Sequence, residues 1–133
     1  MAREDHLLHS RKFMPPLIDP ERSRCYLNAL KNWRYDGFVR AEKDAVRWLR
    51  AELPEYLGNE LGRMLYEHVS ANGCECVDEQ VEKREQWKDL HEFHHDIRVR
   101  IDDRTIYFET RLIYRNPQDP DDPIIQVVNV HEA

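Results

Sequence analysis

The chain of 133 residues holds four glycines, and none stands in a Gly-rich phosphate loop, a dinucleotide-binding fingerprint or a Gly-x-Ser-x-Gly nucleophile elbow. Nucleotide-dependent chemistry is therefore not expected; zinc-protease chemistry is not expected either, on a reading that takes His-Glu-x-x-His to be absent, and no cofactor is expected. No run of about 18 apolar residues is present to span a bilayer, so a membrane partner is not expected. Met1–Lys12 is charged and contains histidine where a secretory segment would carry an apolar core. The cysteines, Cys25, Cys74 and Cys76, are odd in number, which argues against a disulfide framework. Together these features predict a reduced, cytoplasmic protein.

A basic surplus is also lacking. The net charge is −6. Residues 1–73 carry 12 Lys+Arg against 11 Asp+Glu, whereas residues 74–133 carry 8 against 15, a balance of +1 and −7. The second half thus argues against tight, nonspecific binding of phosphate backbones.

What is present fits one ordinary domain. Hydrophobic residues make up 41% and charged residues 35% of a length sufficient to bury a real core. Residues 1–18 read as a mobile arm ending in Met14-Pro15-Pro16, and residues 19–133 as a single α+β domain. Asp19 is placed to cap a helix with Pro20 in its first turn. Tyr26, Leu27, Leu30 and Trp33 recur on that helix at helical spacing, and Gly37 is expected to end it. A second helix is predicted from about Val39 to Leu53, with Ala41, Ala45, Trp48 and Leu49 on its buried stripe. Pro54 stops it and can open a third helix carrying Leu57, Leu61, Leu65 and Val69. Gly58 and Gly62 lie one turn apart there, which points to close helix packing, and Gly73 terminates the helix. Residues 74–81 read as a short edge strand. Residues 82–92 are charged, with Trp87 as the one large apolar anchor.

Residues 93–131 show strict two-residue alternation and read as three strands. Phe93, His95, Ile97, Val99 and Ile101 share one face. Asp102-Asp103 fits a two-residue hairpin turn without the usual glycine. Folding there sets Ile101 opposite Arg104, Val99 opposite Ile106, Ile97 opposite Phe108, His95 opposite Thr110 and Phe93 opposite Leu112. Apolar meets apolar, so the register is self-consistent. The other face then pairs Arg98 with Tyr107, Asp96 with Glu109 and His94 with Arg111. A third strand, Ile124 to His131, follows a loop rich in Pro and Asp, with Asn129 and His131 on one face and Val128 and Val130 on the other. The predicted fold is α+β: two to three N-terminal helices packed on one face of a three- to four-stranded antiparallel sheet.

His94, Asp96, Arg98, Tyr107, Glu109 and Arg111 are the candidate site residues. Like charges directly across two strands repel, so Asp96 opposite Glu109 needs relief. Three explanations stand, one of them a metal ion clamped between the two carboxyls. Arg98 and Arg111, diagonally adjacent, would make a structural salt cluster. Alternatively one carboxyl, Glu109 in particular, is a general base and the arginines stabilise developing negative charge. His94 points to the same face and could donate a proton. His95 points to the apolar face as a core histidine. Cys74 and Cys76, even with His94 and His131, are spaced too tightly for a Cys-x-x-Cys zinc knuckle, so no metal is expected. Asp119, Asp121 and Asp122 lack the glycine and distal glutamate of a calcium loop.

Helices, then a short strand, then an antiparallel meander with a polar outer face: this order, over roughly residues 38–131, resembles the small ribonuclease-toxin fold shared by barnase-like, colicin-like and RelE-like proteins. The resemblance implies metal-independent RNA cleavage, with His94, Arg98, Tyr107, Glu109 and Arg111 as counterparts of residues that position the 2′-hydroxyl and stabilise the scissile phosphate. The acidic second half departs from the basic character of RelE-like toxins. The strands Phe93–Arg98, Ile106–Leu112 and Ile125–His131 also resemble the core of small bacterial proteins, which implies no activity. Two function classes follow: a ribonuclease-like hydrolase with RNA as partner, or a non-catalytic module that binds a protein and uses the Asp/Glu/Arg cluster structurally.

Overall fold

The computed structural model describes residues 15–116, 118, 119 and 121–133. Residues 1–14 of the expected arm lie outside the described residues. Pro15–Ile18 lies along the sheet: Glu79 donates its amide to the Pro15 carbonyl at 2.7 Å, and Leu17 donates to Val77 at 2.8 Å. Leu17 is buried in the core.

Helix α1 spans Pro20–Lys31 and starts as its sequence dictates. The Asp19 carboxylate accepts from the Arg22 amide at 2.9 Å, and Pro20 occupies the first turn. It ends earlier than Gly37. Asn32 turns its side-chain amide back to the Asn28 carbonyl at 2.9 Å, the competition by which Asn leaves helices. The predicted second helix then divides. Val39–Ala41 is a strand, β1, and only Lys43–Glu52 is helical, α2. β1 pairs in parallel with residues 125–127, a partner that no local pattern reveals. Helix α3 spans Asn59–Asn72, after a 3₁₀ turn at Pro54–Tyr56. Gly58 stands just outside it with φ +67°, a backbone that suits glycine. Gly62 lies within α3, where a Cβ would meet the Trp33 Cβ at 2.8 Å and the Val39 Cβ at 3.2 Å. The close packing expected of both glycines therefore belongs to Gly62 alone, and its neighbours are the α1–β1 connection and β1.

The remaining strands are β2 (Val77–Val81), β3 (Phe93–Ile101), β4 (Arg104–Ile113) and β5 (Ile124–Glu132). The sheet is five-stranded and mixed, in the order β1-β5-β4-β3-β2, rather than three- to four-stranded and antiparallel. The extra strand is β1, and it supplies the parallel pair. β2 begins after a 3₁₀ turn at Cys74–Cys76, so the predicted strand is shorter by three residues. It is the last strand of the sheet, and Pro16, which bridges Asp78, lies along its outer edge.

The β3–β4 hairpin has the expected register from Ile101–Arg104 to His95–Thr110, including Asp96–Glu109 and Arg98–Tyr107. Among the described residues the β3–β4 ladder stops at His95–Thr110, short of the expected His94–Arg111 and Phe93–Leu112 pairs, while the β2–β3 ladder continues to His94–Gln80 and Phe93–Val81. Asp102 (φ 50°) and Asp103 (φ 65°) both adopt the left-handed backbone that a primed two-residue turn requires. β4 and β5 pair through a register shift at Glu109/Thr110. The shift breaks alternation in β5: Val127 and Val130 are buried, and Val128 lies beside Asn129 instead of opposite it.

One continuous core joins Leu17, the inward residues of the three helices and the apolar sheet face, including Ile97, Ile106, Phe108 and Val127. A polar chain crosses it. Thr110 Oγ1 donates to the His95 carbonyl at 2.6 Å, so the Tyr26 hydroxyl, 2.7 Å away, donates to Thr110. Burial raises the Tyr26 pKa above its ordinary value, which keeps that proton in place. Among the described residues no helix is long and apolar enough to cross a membrane.

Candidate functional site

All six candidate residues lie on the polar sheet face, as alternation requires, but they divide into two groups and one outlier. The first group centres on Asp96, which is fully buried. Its Oδ1 lies 2.8 Å from His94 Nδ1. Its Oδ2 accepts from Gln80 Nε2 at 2.9 Å and from the Tyr107 hydroxyl. The bond to Asp96 raises the His94 pKa, outweighing burial. Burial and then Asp96 raise the Tyr107 pKa, so the phenol keeps its proton as a donor. Tyr107 stacks on His131 with ring centroids 4.7 Å apart.

The second group gathers round Glu109. Both of its oxygens accept from the Arg84 guanidinium, and Arg111 Nη2 lies 3.7 Å from Oε2. Arg84 also forks onto Glu82 at 2.8 and 2.9 Å. Arg111 Nη1 lies 2.9 Å from Glu82, and the Arg111 guanidinium lies over the Trp87 ring at 4.9 Å. The Arg84 guanidinium, assisted by Arg111, holds the Glu82 carboxyl at a pKa of about 2. Arg98 is the outlier. It bonds Asp78 at 2.7 Å and lies over the Tyr107 ring at 5.5 Å.

The predicted four-charge cluster is thus corrected in its membership. Asp96 is relieved by Tyr107, Gln80 and His94, and Glu109 by Arg84 and Arg111. The strand register decides this: Arg98, one step further along β3, lies beside Asp78, the pair of Asp96 on β2. Sequence reasoning missed Asp78, Gln80, Glu82, Arg84 and the stacking role of Trp87. The two-residue alternation of Asp78, Gln80 and Glu82 was a usable signal, since it puts all three on the face of Asp96. Nothing local told that residues 82–92 fold over that face.

Chemically, the carboxylates of the group are satisfied, whereas Arg111 Nη1 meets Glu82 as an ion pair and has no well-aligned hydrogen bond among the described residues. Glu82, Asp96, Glu109 and Arg111 are all buried, and every one has an oppositely charged or hydrogen-bonding partner. The proposed base Glu109 has both oxygens committed to guanidinium donors. His94, by contrast, is an imidazole oriented by a carboxylate, the arrangement that prepares a ring for proton transfer. The cluster borders a small cavity of about 240 Å³ whose wall includes Arg84, Glu109, Arg111, Asn129 and Glu42.

The opposite face holds a second arrangement. His95 Nε2 lies 3.0 Å from Glu79 Oε2, and Arg22 clasps the same carboxylate with two bonds of 2.7 and 2.9 Å. Burial raises the Glu79 pKa, but Arg22 and His95 outweigh it and hold it below the ordinary value. Burial lowers the His95 pKa despite Glu79. As a core histidine His95 is only half satisfied: among the described residues its buried Nδ1 has no hydrogen-bond partner. It lines a cleft of about 900 Å³ with Phe93, Leu112 and Tyr114.

Residues 91–95 read His-Glu-Phe-His-His, the letter spacing of a zinc-protease motif, which the sequence reasoning passed over. That motif works on a helix, where its histidines lie one turn apart. Here β3 begins at Phe93, and the extended backbone separates them. Among the described residues no group of three or more His, Cys, Asp or Glu side chains is placed to hold a metal ion. Burial raises the Cys74 thiol and pushes that of Cys76 up to about 11, away from thiolate chemistry. Asp121 and Asp122 pair with Arg24 and Arg115 at 3.4 and 2.9 Å. No family model matches the chain, and no curated protein and no solved structure matches it.

Proposed function

We propose that the chain is a non-catalytic protein-binding module whose Asp/Glu/Arg cluster is structural. The observation that supports it is the saturation of the cluster: Asp96 accepts three hydrogen bonds, and Glu109 is held by Arg84 and Arg111. Buried polar groups tied in this way fix one arrangement of the sheet and of the segment that covers it. A group that must take up or release protons works better with a free lone pair facing solvent. The acidity of residues 74–133 supports the same reading, since it opposes phosphate backbones.

The test is RNA cleavage by the purified protein, with and without chelator, on single-stranded and structured RNAs. The expected result is none. Chelator-resistant cleavage that vanishes in a site variant overturns the module.

One observation favours a second reading, the ribonuclease-like hydrolase. His94 is held by Asp96 and has a raised pKa, and Tyr107 bonds the same carboxylate. On this reading His94, and not Glu109, transfers the proton. Cleavage lost in His94→Gln and retained in Glu109→Gln is then the expected signature.

A further inference from the structure

We propose that the cleft between the start of α1 and the ends of β3 and β4 seats an arginine or lysine side chain from an apolar segment of a protein partner. This rests on the module reading and names where the partner binds and by which chemistry. Three observations converge on it. The first is the cleft itself, about 900 Å³, with Phe93, Leu112 and Tyr114 in its wall and Leu90, 72% exposed, at its edge. Exposed apolar side chains round a cleft are the usual setting for a partner's anchor.

The second is charge. Asp19, Glu21 and Glu92 line the cleft as carboxylates. Its one lining arginine, Arg22, is neutralised by the two bonds it donates to Glu79. The histidines of its wall, His91 and His95, both have lowered pKa values through burial and add no positive charge at neutral pH. The cleft is therefore anionic, and a cation is its complement.

The third is an unused acceptor. Glu79, engaged by Arg22, is ionised, so the proton of His95 sits on Nε2, facing Glu79 at 3.0 Å. Nδ1 then carries a lone pair, buried and without a partner, on a ring 2% exposed that lines the cleft. A buried acceptor left unmade costs stability, and an N–H donor from a guanidinium or ammonium group would satisfy it.

The test pans a displayed library of random ten-residue peptides against the full chain and titrates the enriched peptides. The expected peptides carry Arg or Lys between apolar residues. Glu21→Lys combined with Glu92→Lys, both exposed positions, should weaken them at least roughly tenfold. His95→Gln keeps an amide donor towards Glu79 and lacks the Nδ1 acceptor, and should weaken them comparably. On the wild-type protein the ¹⁵N resonance of His95 Nδ1 should move as peptide is added, whether or not that variant folds. Enriched peptides without a basic residue, unchanged affinity in the double lysine variant, a stationary Nδ1 resonance, or no enrichment at all overturns the proposal. Dimerisation abolished by the double variant also overturns it, by assigning the cleft to a second copy. The module reading fails separately, on chelator-resistant RNA cleavage.

Discussion

His94 and His95 are neighbours in sequence, and each has a carboxylate within 3.0 Å, yet their pKa values shift in opposite directions. His94 bonds Asp96 on the polar face, and the bond wins over burial. His95 bonds Glu79 on the helix-facing side, and burial wins over the bond. Alternation along β3 sends two identical side chains into different surroundings. A carboxylate partner therefore does not by itself make a histidine cationic. Burial and the neighbours decide: His94 also feels Glu109 and Glu82, whereas the burial of His95 outweighs Glu79 and Asp96 together, with the Arg22 guanidinium adding to it.

The largest expected effect tests how firmly the polar face is fastened. Arg111→Met leaves Glu82 and Glu109 with one guanidinium between them and strips the ring of Trp87. Removing one partner of a buried ionic group should cost about 3–5 kcal/mol in urea unfolding. An effect under about 1 kcal/mol would mean that the cluster does not hold the sheet.

Next come the carboxylates themselves. Asp96→Asn should cost about 1.5–3 kcal/mol, the range for hydrogen bonds to a charged group. Followed by NMR, the same variant should lower the titration midpoint of His94 and leave that of His95 nearly in place. Glu79→Gln should lower the midpoint of His95 further. If either change moves both rings equally, the two faces are not electrically separate.

A third test uses pH. The folded pKa of His94 lies above its unfolded value of 6.5, so its contribution is complete below about pH 6.5 and is lost as pH rises through the folded value. The folded pKa of His95 lies below 6.5, so its contribution is complete above that value and is lost as pH falls towards the folded value. Denaturant midpoints between about pH 5.5 and 7.5 should therefore fall more steeply on acidification in His94→Gln than in the wild type. His95→Gln should show the opposite change of slope.

The smallest effect concerns the hairpin that sets both faces. Asp103 holds a left-handed backbone, φ 65°, that costs a non-glycine residue about 1 kcal/mol or more. Asp103→Gly should therefore raise stability by up to about 1 kcal/mol and leave both histidine titrations unchanged.

Much of this was legible in the chain. Two-residue periodicity and the Asp102-Asp103 turn specify the β3–β4 register, because a slip by one residue would bury Arg98 and Arg100 and expose Ile97 and Val99. The same alternation places His94, Asp96, Arg98, Tyr107, Glu109 and Arg111 on one face. The Asp19-Pro20 start and the Gly73 end of the helical region were equally plain, since caps and breakers act within a few residues. Strand β1 was not legible. Val39–Ala41 fits a helical stripe as well as a strand, and only Ile125–Val127, far along the chain, resolves the ambiguity by offering unpaired backbone groups.

By itself, then, the sequence determined the hairpin, its faces and the proximity of Asp96 to Glu109, because these follow from backbone geometry and local contact. Tertiary structure alone decided which cations answer which acids. The fold of residues 82–92 over the sheet brings Arg84 to Glu109 and Trp87 to Arg111. The approach of α1 to β2 brings Arg22 to Glu79 and sets His95 between that carboxylate and the cleft. Long side chains choose partners by distance in space, and spacing along the chain does not encode that distance.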